Sequence, residues 1–295
     1  MSVSIRQIHP HFVGEVDGVD LRNPLGAADA AALDAGIQKY GVLVFHDQNI
    51  TDEQQVAFSR NFGDLEIPGF KSNITKVKER RLGPEMADVS NLGAGQKILA
   101  RDDRQRMFNL GNLLWHSDSS FRAVPAKYSL LSGRQVPEKG GDTQFADMGA
   151  AYDALDDETK EEIDGYICEH SLLYSRGFLG FTGLSDMEAQ SFKPVRQRLV
   201  RRHPETGRKS LYLSAHIGKV LGLPVPEARL LVRDLTELAT QPEFVYAHKW
   251  RQYDLVIWDN GQTMHRARRF NDTTEARDMR RTTIAGTGQT VEQAA

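Results

Sequence analysis

One cysteine, Cys168, stands in 295 residues. That scarcity excludes an intramolecular disulfide framework, so nothing in the covalent structure calls for an oxidising compartment, and the thiol is expected to be a small buried hydrophobe. Also lacking are an apolar run near membrane-spanning length and a charged-then-apolar N-terminus, since the opening MSVSIRQIHP is mixed. The expectation is a soluble, cytoplasmic protein with no membrane partner. Charge of one sign is missing too: 37 Lys and Arg face 40 Asp and Glu, a formal net charge of -3. No general field draws in nucleic acid, and any recognition of an anion must be local. Internal repeats, low-complexity tracts and long Pro/Gly/Ser linkers are absent, which argues for a single domain over residues 1–295, with the stretch from about 286, GTGQTVEQAA, as a flexible tail. Whether copies of the chain associate is left open.

The alanine-rich run from Ala27 to Tyr40 predicts a helix, and GVLVFHD after it, bounded by Gly41 and Asp47, predicts a buried strand. Thr51 and Gln54 form a capping-box pattern that opens a second helix, TDEQQVAFSRNF. From Tyr128 the pattern becomes a series of short β-like segments, YSLLSG, DTQFAD, RLVRRH, SLYLSAH, FVYAHKW, DLVIWDN and RRTTIAG, separated by turn chemistry such as EKGG and PETGR. Two helical insertions interrupt the series. One lies around Met148 to Tyr166, the other around Pro226 to Gln241 with Leu230, Leu231, Leu235 and Leu238 on one side. The spacing fits antiparallel sheets, and the expected class is α+β with a double-sheet jelly-roll core.

Within Trp115-His116-Ser117-Asp118, residues i and i+2 of an extended segment face the same way and can grip one ion together. A third ligand is needed, and His265 at the end of LVIWDNGQTMH is the best candidate. Two neutral imidazoles and one carboxylate make the facial triad that suits ferrous iron and leaves coordination positions open, whereas the lack of thiolate argues against structural zinc. An isolated H-x-D is more often a turn cap beside a solvated acid; the surroundings change the balance. Arg277 and Arg281, four residues apart, share a face if their segment is a strand, and a guanidinium close behind a metal ligand suits a dicarboxylate. A solvated patch is the ordinary reading of Arg266, Arg268 and Arg269. Thr143, after Gly140-Gly141-Asp142, would present its hydroxyl from the start of a strand.

The motifs WHSDSSF, GGDTQFADM, VIWDNGQTMHRARRF and RDMRRTT, in this order and over nearly the whole chain, resemble the TauD/TfdA family of Fe(II)/2-oxoglutarate-dependent dioxygenases. Within it the chain is more similar to the 2,4-dichlorophenoxyacetate branch than to the taurine branch. The resemblance implies Fe(II), 2-oxoglutarate as cosubstrate and O2. It implies that His116, Asp118 and His265 bind iron, that Thr143, Arg277 and Asn112 serve 2-oxoglutarate, and that Arg281 approaches the substrate or the C1 carboxylate. Arg277 lies twelve residues past His265, one more than in archetypal members, so Arg280 competes for its role, although the pleat would turn Arg280 to the opposite face. For an aryloxy carboxylate, the resemblance places Lys71, Lys97, Ser120, His203 and His216 around the substrate, with Lys71 and Lys97 on loops over the site.

A taurine, alkylsulfonate or sulfate-ester dioxygenase is the nearest competing reading, because one arginine can receive sulfonate or carboxylate. A zinc hydrolase could use the same trio but would need a general base beside the metal water and has no use for Thr143 and Arg277. A non-catalytic jelly-roll protein sensing iron or 2-oxoglutarate would call for a partner-binding extension, and none is evident.

Overall fold

A computed structural model describes residues 3–67, 74 and 80–293. Strands β1 (Ser4–Gln7) and β2 (Gly14–Asp17) precede helix α1 (Ala27–Tyr40). That helix stops at Gly41, where φ of +67° favours a residue without Cβ, and strand β3 (Val42–Phe45) begins at once. Helix α2 (Asp52–Ser59) opens on the capping box: Gln54 N–H donates to Thr51 Oγ1 at 3.2 Å, and Thr51 N–H to Gln54 Oε1 at 2.8 Å. Next come β4 (Ala87–Asp88), α3 (Arg104–Asn109), β5 (Ala126–Gln135) and β6 (Thr143–Asp147).

The insertion expected around Met148 is two helices, α4 (Met148–Asp153) and α5 (Asp157–Ile163). Asp147 and Asp156 cap them through backbone N–H groups of the first turn, and each cap forces a separate start. There follow β7 (Ile167–His170), α6 (Leu172–Phe178), α7 (Asp186–Ser191), β8 (Val195–Arg198), β9 (Val200–Arg202), β10 (Lys209–Leu211) and β11 (Ile217–Val220). Helix α8 (Val225–Ala239) leads to β12 (Val245–His248), β13 (Leu255–Asp259), β14 (Thr263–Ala267) and β15 (Asp278–Ala285). On α8 the leucines do not share one side as expected. Leu231, Leu235 and Leu238 pack inward at helical period, whereas Leu230 is 50% exposed.

One sheet has the order β1-β2-β3-β13-β5-β15-β4, antiparallel except where β2 runs parallel to β3. Its central strands β3 and β13 read as short apolar runs because both of their faces are buried. On one face Leu43, Phe45, Leu255 and Ile257 pack under α1 and α2, meeting Leu33, Ile37 and Phe58. On the other, Val42, Val44, Val256, Trp258 and Met279 meet Phe145 of β6, the centre of the three-stranded sheet β12-β6-β14. The stretch expected as a flexible tail is docked instead: Thr290 is fully buried, its Oγ1 donates to Gln197 Oε1 at 2.6 Å and accepts from Arg198 N–H at 3.0 Å. A buried hydroxyl held by two partners ties the 3-10 turn Thr290–Glu292 to β8. No described helix is long and apolar enough to cross a membrane.

Candidate metal and 2-oxoglutarate site

His116 lies on the segment between α3 and β5, and His265 lies in β14. The two form an isolated antiparallel bridge in which each backbone N–H donates to the other's carbonyl, at 2.9 and 2.8 Å. Directly opposed residues of such a bridge project to the same side, which brings the imidazole centroids to 4.3 Å. Asp118 joins them from two residues along. Its N–H donates to Asn260 Oδ1 at 3.1 Å, Ser129 Oγ donates to its Oδ2 at 2.8 Å, and Arg281 Nη1 forms an ion pair with its Oδ1. Asn260 is itself pinned by Trp258 Nε1 and by Ser129, each at 3.0 Å. The three ligand atoms lie within 4.8 Å of one another, and all three residues are buried.

The protonation states suit metal binding. Burial pushes the His116 and His265 imidazoles below their ordinary value, against the pull of Asp118, so both are neutral at pH 7. His116 Nδ1 donates to the Leu114 carbonyl at 2.7 Å, which fixes the hydrogen there and leaves the Nε2 lone pair facing the cluster. For Asp118, burial pushes the carboxyl up, but the Arg281 guanidinium, helped by the Ser129 hydrogen bond, overcomes it and holds the group down at about 2. Two neutral nitrogens and an ionised oxygen, with no thiolate, form a donor set that fits Fe(II).

Beside this cluster a cavity of about 800 Å³ is lined by Val89, Asn91, Asn112, Arg268, Phe270 and Arg277. Asn112 also lines the smaller space over the triad, so the two volumes share a wall. Arg277 is 5% exposed, and the only hydrogen bonds of its guanidinium among the described residues are long ones to backbone carbonyls, Nη1 to Val89 at 3.4 Å and Nη2 to Gly141 at 3.3 Å. Nε has no partner there. Burial pushes the guanidinium down to about 10, with Asp142 opposing from a distance. A buried cation so poorly compensated can receive an anion. Thr143, also buried, accepts from Trp250 Nε1 at 3.0 Å, which leaves its own hydroxyl proton to donate. The glycine pair is sterically required: a Cβ on Gly140 would lie 2.5 Å from the Arg269 carbonyl oxygen, and one on Gly141 would lie 2.8 Å from Pro137.

Arg280 is drawn to the other face of β15, where it pairs with Asp52 and Asp278 at 2.8 and 2.9 Å. The pleat thus removes it from competition with Arg277. Of the residues expected around a substrate, His216 and Arg281 line the space over the triad. Lys71 lies outside the described residues. The others are not brought there. Lys97 is exposed after a short 3-10 turn and lines neither cavity. Ser120 is fully buried, with Gln197 held on its carbonyl; its neighbour Ser119, at φ +54°, is the serine that reaches the cavity, where it donates to Glu66 at 2.7 Å. His203 is turned to Asp259 at 3.1 Å, because a buried ionised carboxylate needs a donor more than the site does.

Sequence reasoning overlooked Asn260, Ser129, Trp250, Glu66 and Arg176. Asn260 could have been suspected from WDNGQ, directly before the His265 strand. Nothing in the chain marks Arg176, which is carried to the triad by α6.

The family model for taurine catabolism dioxygenase TauD, TfdA family, matches residues 4–283. The chain is 44% identical over 283 residues to an alpha-ketoglutarate-dependent 2,4-dichlorophenoxyacetate dioxygenase of Cupriavidus pinatubonensis, covering 96% of this chain and 98% of that protein. It is 43% identical over 286 residues to the enzyme of the same description from Burkholderia sp., covering 97% and 95%. A crystal structure of AAD-2 in complex with Mn(II) and N-oxalylglycine superposes with a TM-score of 0.96 at 61% identity, covering 98% of this chain and 100% of that one.

Proposed function

The chain belongs to the TauD/TfdA family and is an Fe(II)- and 2-oxoglutarate-dependent dioxygenase, and from this premise we infer that it hydroxylates an aryloxyalkanoate such as 2,4-dichlorophenoxyacetate. The observation that carries the reading is a buried His-Asp-His cluster beside a buried arginine that lacks an acidic partner among the described residues. In this reading His116, Asp118 and His265 hold the iron, Arg277 and Thr143 take the distal carboxylate of 2-oxoglutarate, and Asn112 lines the passage between cosubstrate and metal. The facing sheets are read as a double-stranded β-helix, which supports both histidines from opposed backbone.

When bound, iron and 2-oxoglutarate supply the oxidation: O2 is consumed, succinate and CO2 leave, and one oxygen enters a substrate C–H bond. The protein's contribution is placement. Ser129 and Asn260 fix the Asp118 oxygens, and the Leu114 carbonyl fixes the His116 ring, so the donors need little rearrangement when metal enters. Phe108, Phe121 and Leu172 give the space over the triad apolar walls suited to an aromatic ring and to keeping water out. For an aryloxyacetate, the target carbon lies between ether oxygen and carboxylate. The product hemiacetal breaks its C–O bond, releasing a phenol and glyoxylate. Near-neutral charge and one buried thiol, which burial pushes up to about 12, support a cytoplasmic catalyst acting on a small molecule.

A succinate-release screen over 2,4-dichlorophenoxyacetate, both phenoxypropionate enantiomers, taurine and a medium-chain alkyl sulfate tests the substrate class. Preferential release with an aryloxyalkanoate is expected. Preference for taurine or the sulfate ester would overturn it.

A further inference from the structure

The space over the triad contains a second buried cation. Arg176 on α6 is 5% exposed and lines that space together with His116, Asp118, Phe121, His216 and Arg281. Its guanidinium is clamped flat: the Phe108 ring lies over it at 4.5 Å, and a Cβ added to Gly111 would fall 2.3 Å from Arg176 Cζ. Five N–H donors have one partner among the described residues, Ser175 Oγ, reached from Nη1 at 3.1 Å. Nε is buried without a partner, and no described acidic side chain forms an ion pair with the group. Arg281 and Arg122, the other cations lining this space, are already paired with Asp118 and Glu66. His216 is tied through Nδ1 to the same Ser175 hydroxyl at 2.9 Å, which orients the ring but gives no charge.

A clamped, desolvated and unpaired guanidinium is costly unless an anion completes it. Resting on the aryloxyalkanoate reading above, we propose that Arg176 is the receptor for the substrate carboxylate, orienting the α-carbon toward the metal while the ring rests on Phe121 and Leu172. Arg281 then serves chiefly to hold Asp118. Planarity matters here, because a fork of parallel N–H donors matches a carboxylate and a single ammonium does not.

The test is calorimetric binding of 2,4-dichlorophenoxyacetate and of its neutral primary amide to protein loaded with Mn(II) and 2-oxoglutarate, in wild type and Arg176→Gln. The acid's Kd should rise on the order of 10²-fold in Arg176→Gln, with the amide's Kd changed less than about threefold, so the preference for the charged ligand collapses. Arg176→Lys should lose about tenfold for the acid, part of the preference surviving with the charge. If Arg176→Gln does not fold, Gly111→Ala, which displaces the guanidinium and keeps its charge, should weaken the acid selectively. Equal losses for acid and amide, or unchanged preference, would overturn the assignment of Arg176 alone. Wild-type protein that binds neither ligand would overturn the substrate reading itself.

Discussion

Replacing Arg277 by Met removes the charge and keeps much of the volume. In the folded protein the group is 5% exposed, has no acidic partner among the described residues and makes only two long hydrogen bonds, to the Val89 and Gly141 carbonyls. Little native-state stability therefore depends on it, and the unliganded variant should melt within about 1 kcal/mol of wild type, since a buried cation is exchanged for a thioether. Cosubstrate binding is where the loss should appear. A charge-assisted, bidentate pair with a carboxylate in a closed site contributes roughly 3 kcal/mol, which corresponds to about a 10²-fold rise in the Kd of 2-oxoglutarate. Titrating 2-oxoglutarate into Mn(II)-loaded protein by calorimetry measures this, and the affinity for Mn(II) alone should change less than about threefold. Ligand stabilisation gives a second readout: 2-oxoglutarate at a fixed concentration should raise Tm in wild type and scarcely in the variant. An unchanged Kd in Arg277→Met would refute the placement of the distal carboxylate and direct attention to Arg268 or Arg269 at the rim of the same cavity.

Thr143→Val deletes the hydroxyl proton that Trp250 leaves free for a ligand, and should raise the Kd of 2-oxoglutarate about tenfold, the effect of one hydrogen bond to a charged group; an effect below twofold would separate Thr143 from the cosubstrate. His170 tests a claim about acid stability. Burial alone depresses its imidazole to about 3, and neither ring nitrogen has a hydrogen-bond partner among the described residues. A folded value below the unfolded one means that the unfolded chain binds the extra proton, so stability is full above about pH 6.5 and falls as pH drops toward 3, by about 1.4 kcal/mol per pH unit for this one group. His170→Phe, which preserves the stacking on Tyr212, should flatten urea-derived stability between pH 6 and 4 by that slope; an unaltered slope would show that the ring is protonated or solvated in the native protein.

Much of the fold was legible where local rules and burial agree. The helix over Ala27–Tyr40, the capping box at Thr51 and the buried strands in VLVF and LVIW follow from propensity, cap chemistry and apolar run length. Strands β1 and β4 were missed because they are short and carry exposed or half-buried side chains, so their pairing partners define them more than their own sequence does. The helix break at Asp156 was missed because the alternation of small and acidic residues on either side is compatible with one continuous helix. At the site, His116 and Asp118, two residues apart, could be brought together from their spacing alone. Residues placed by tertiary contact could not. Ser119 and Ser120 are adjacent, and a positive φ at Ser119 decides which one faces the cavity. His203 went to Asp259 because a distant strand delivers a buried carboxylate to it. Arg176 is one arginine among many until α6 folds it against Phe108 and Gly111.

The convergence of His116, Asp118 and His265 on one ferrous ion is most directly tested by anaerobic absorption spectroscopy of the Fe(II)-loaded protein as 2-oxoglutarate is added. The wild-type protein should develop the weak visible charge-transfer band of a chelated 2-oxo acid, and His116→Ala and His265→Ala should each fail to do so while remaining folded. A band of full strength in either variant would contradict the assignment of these residues as the metal's ligands.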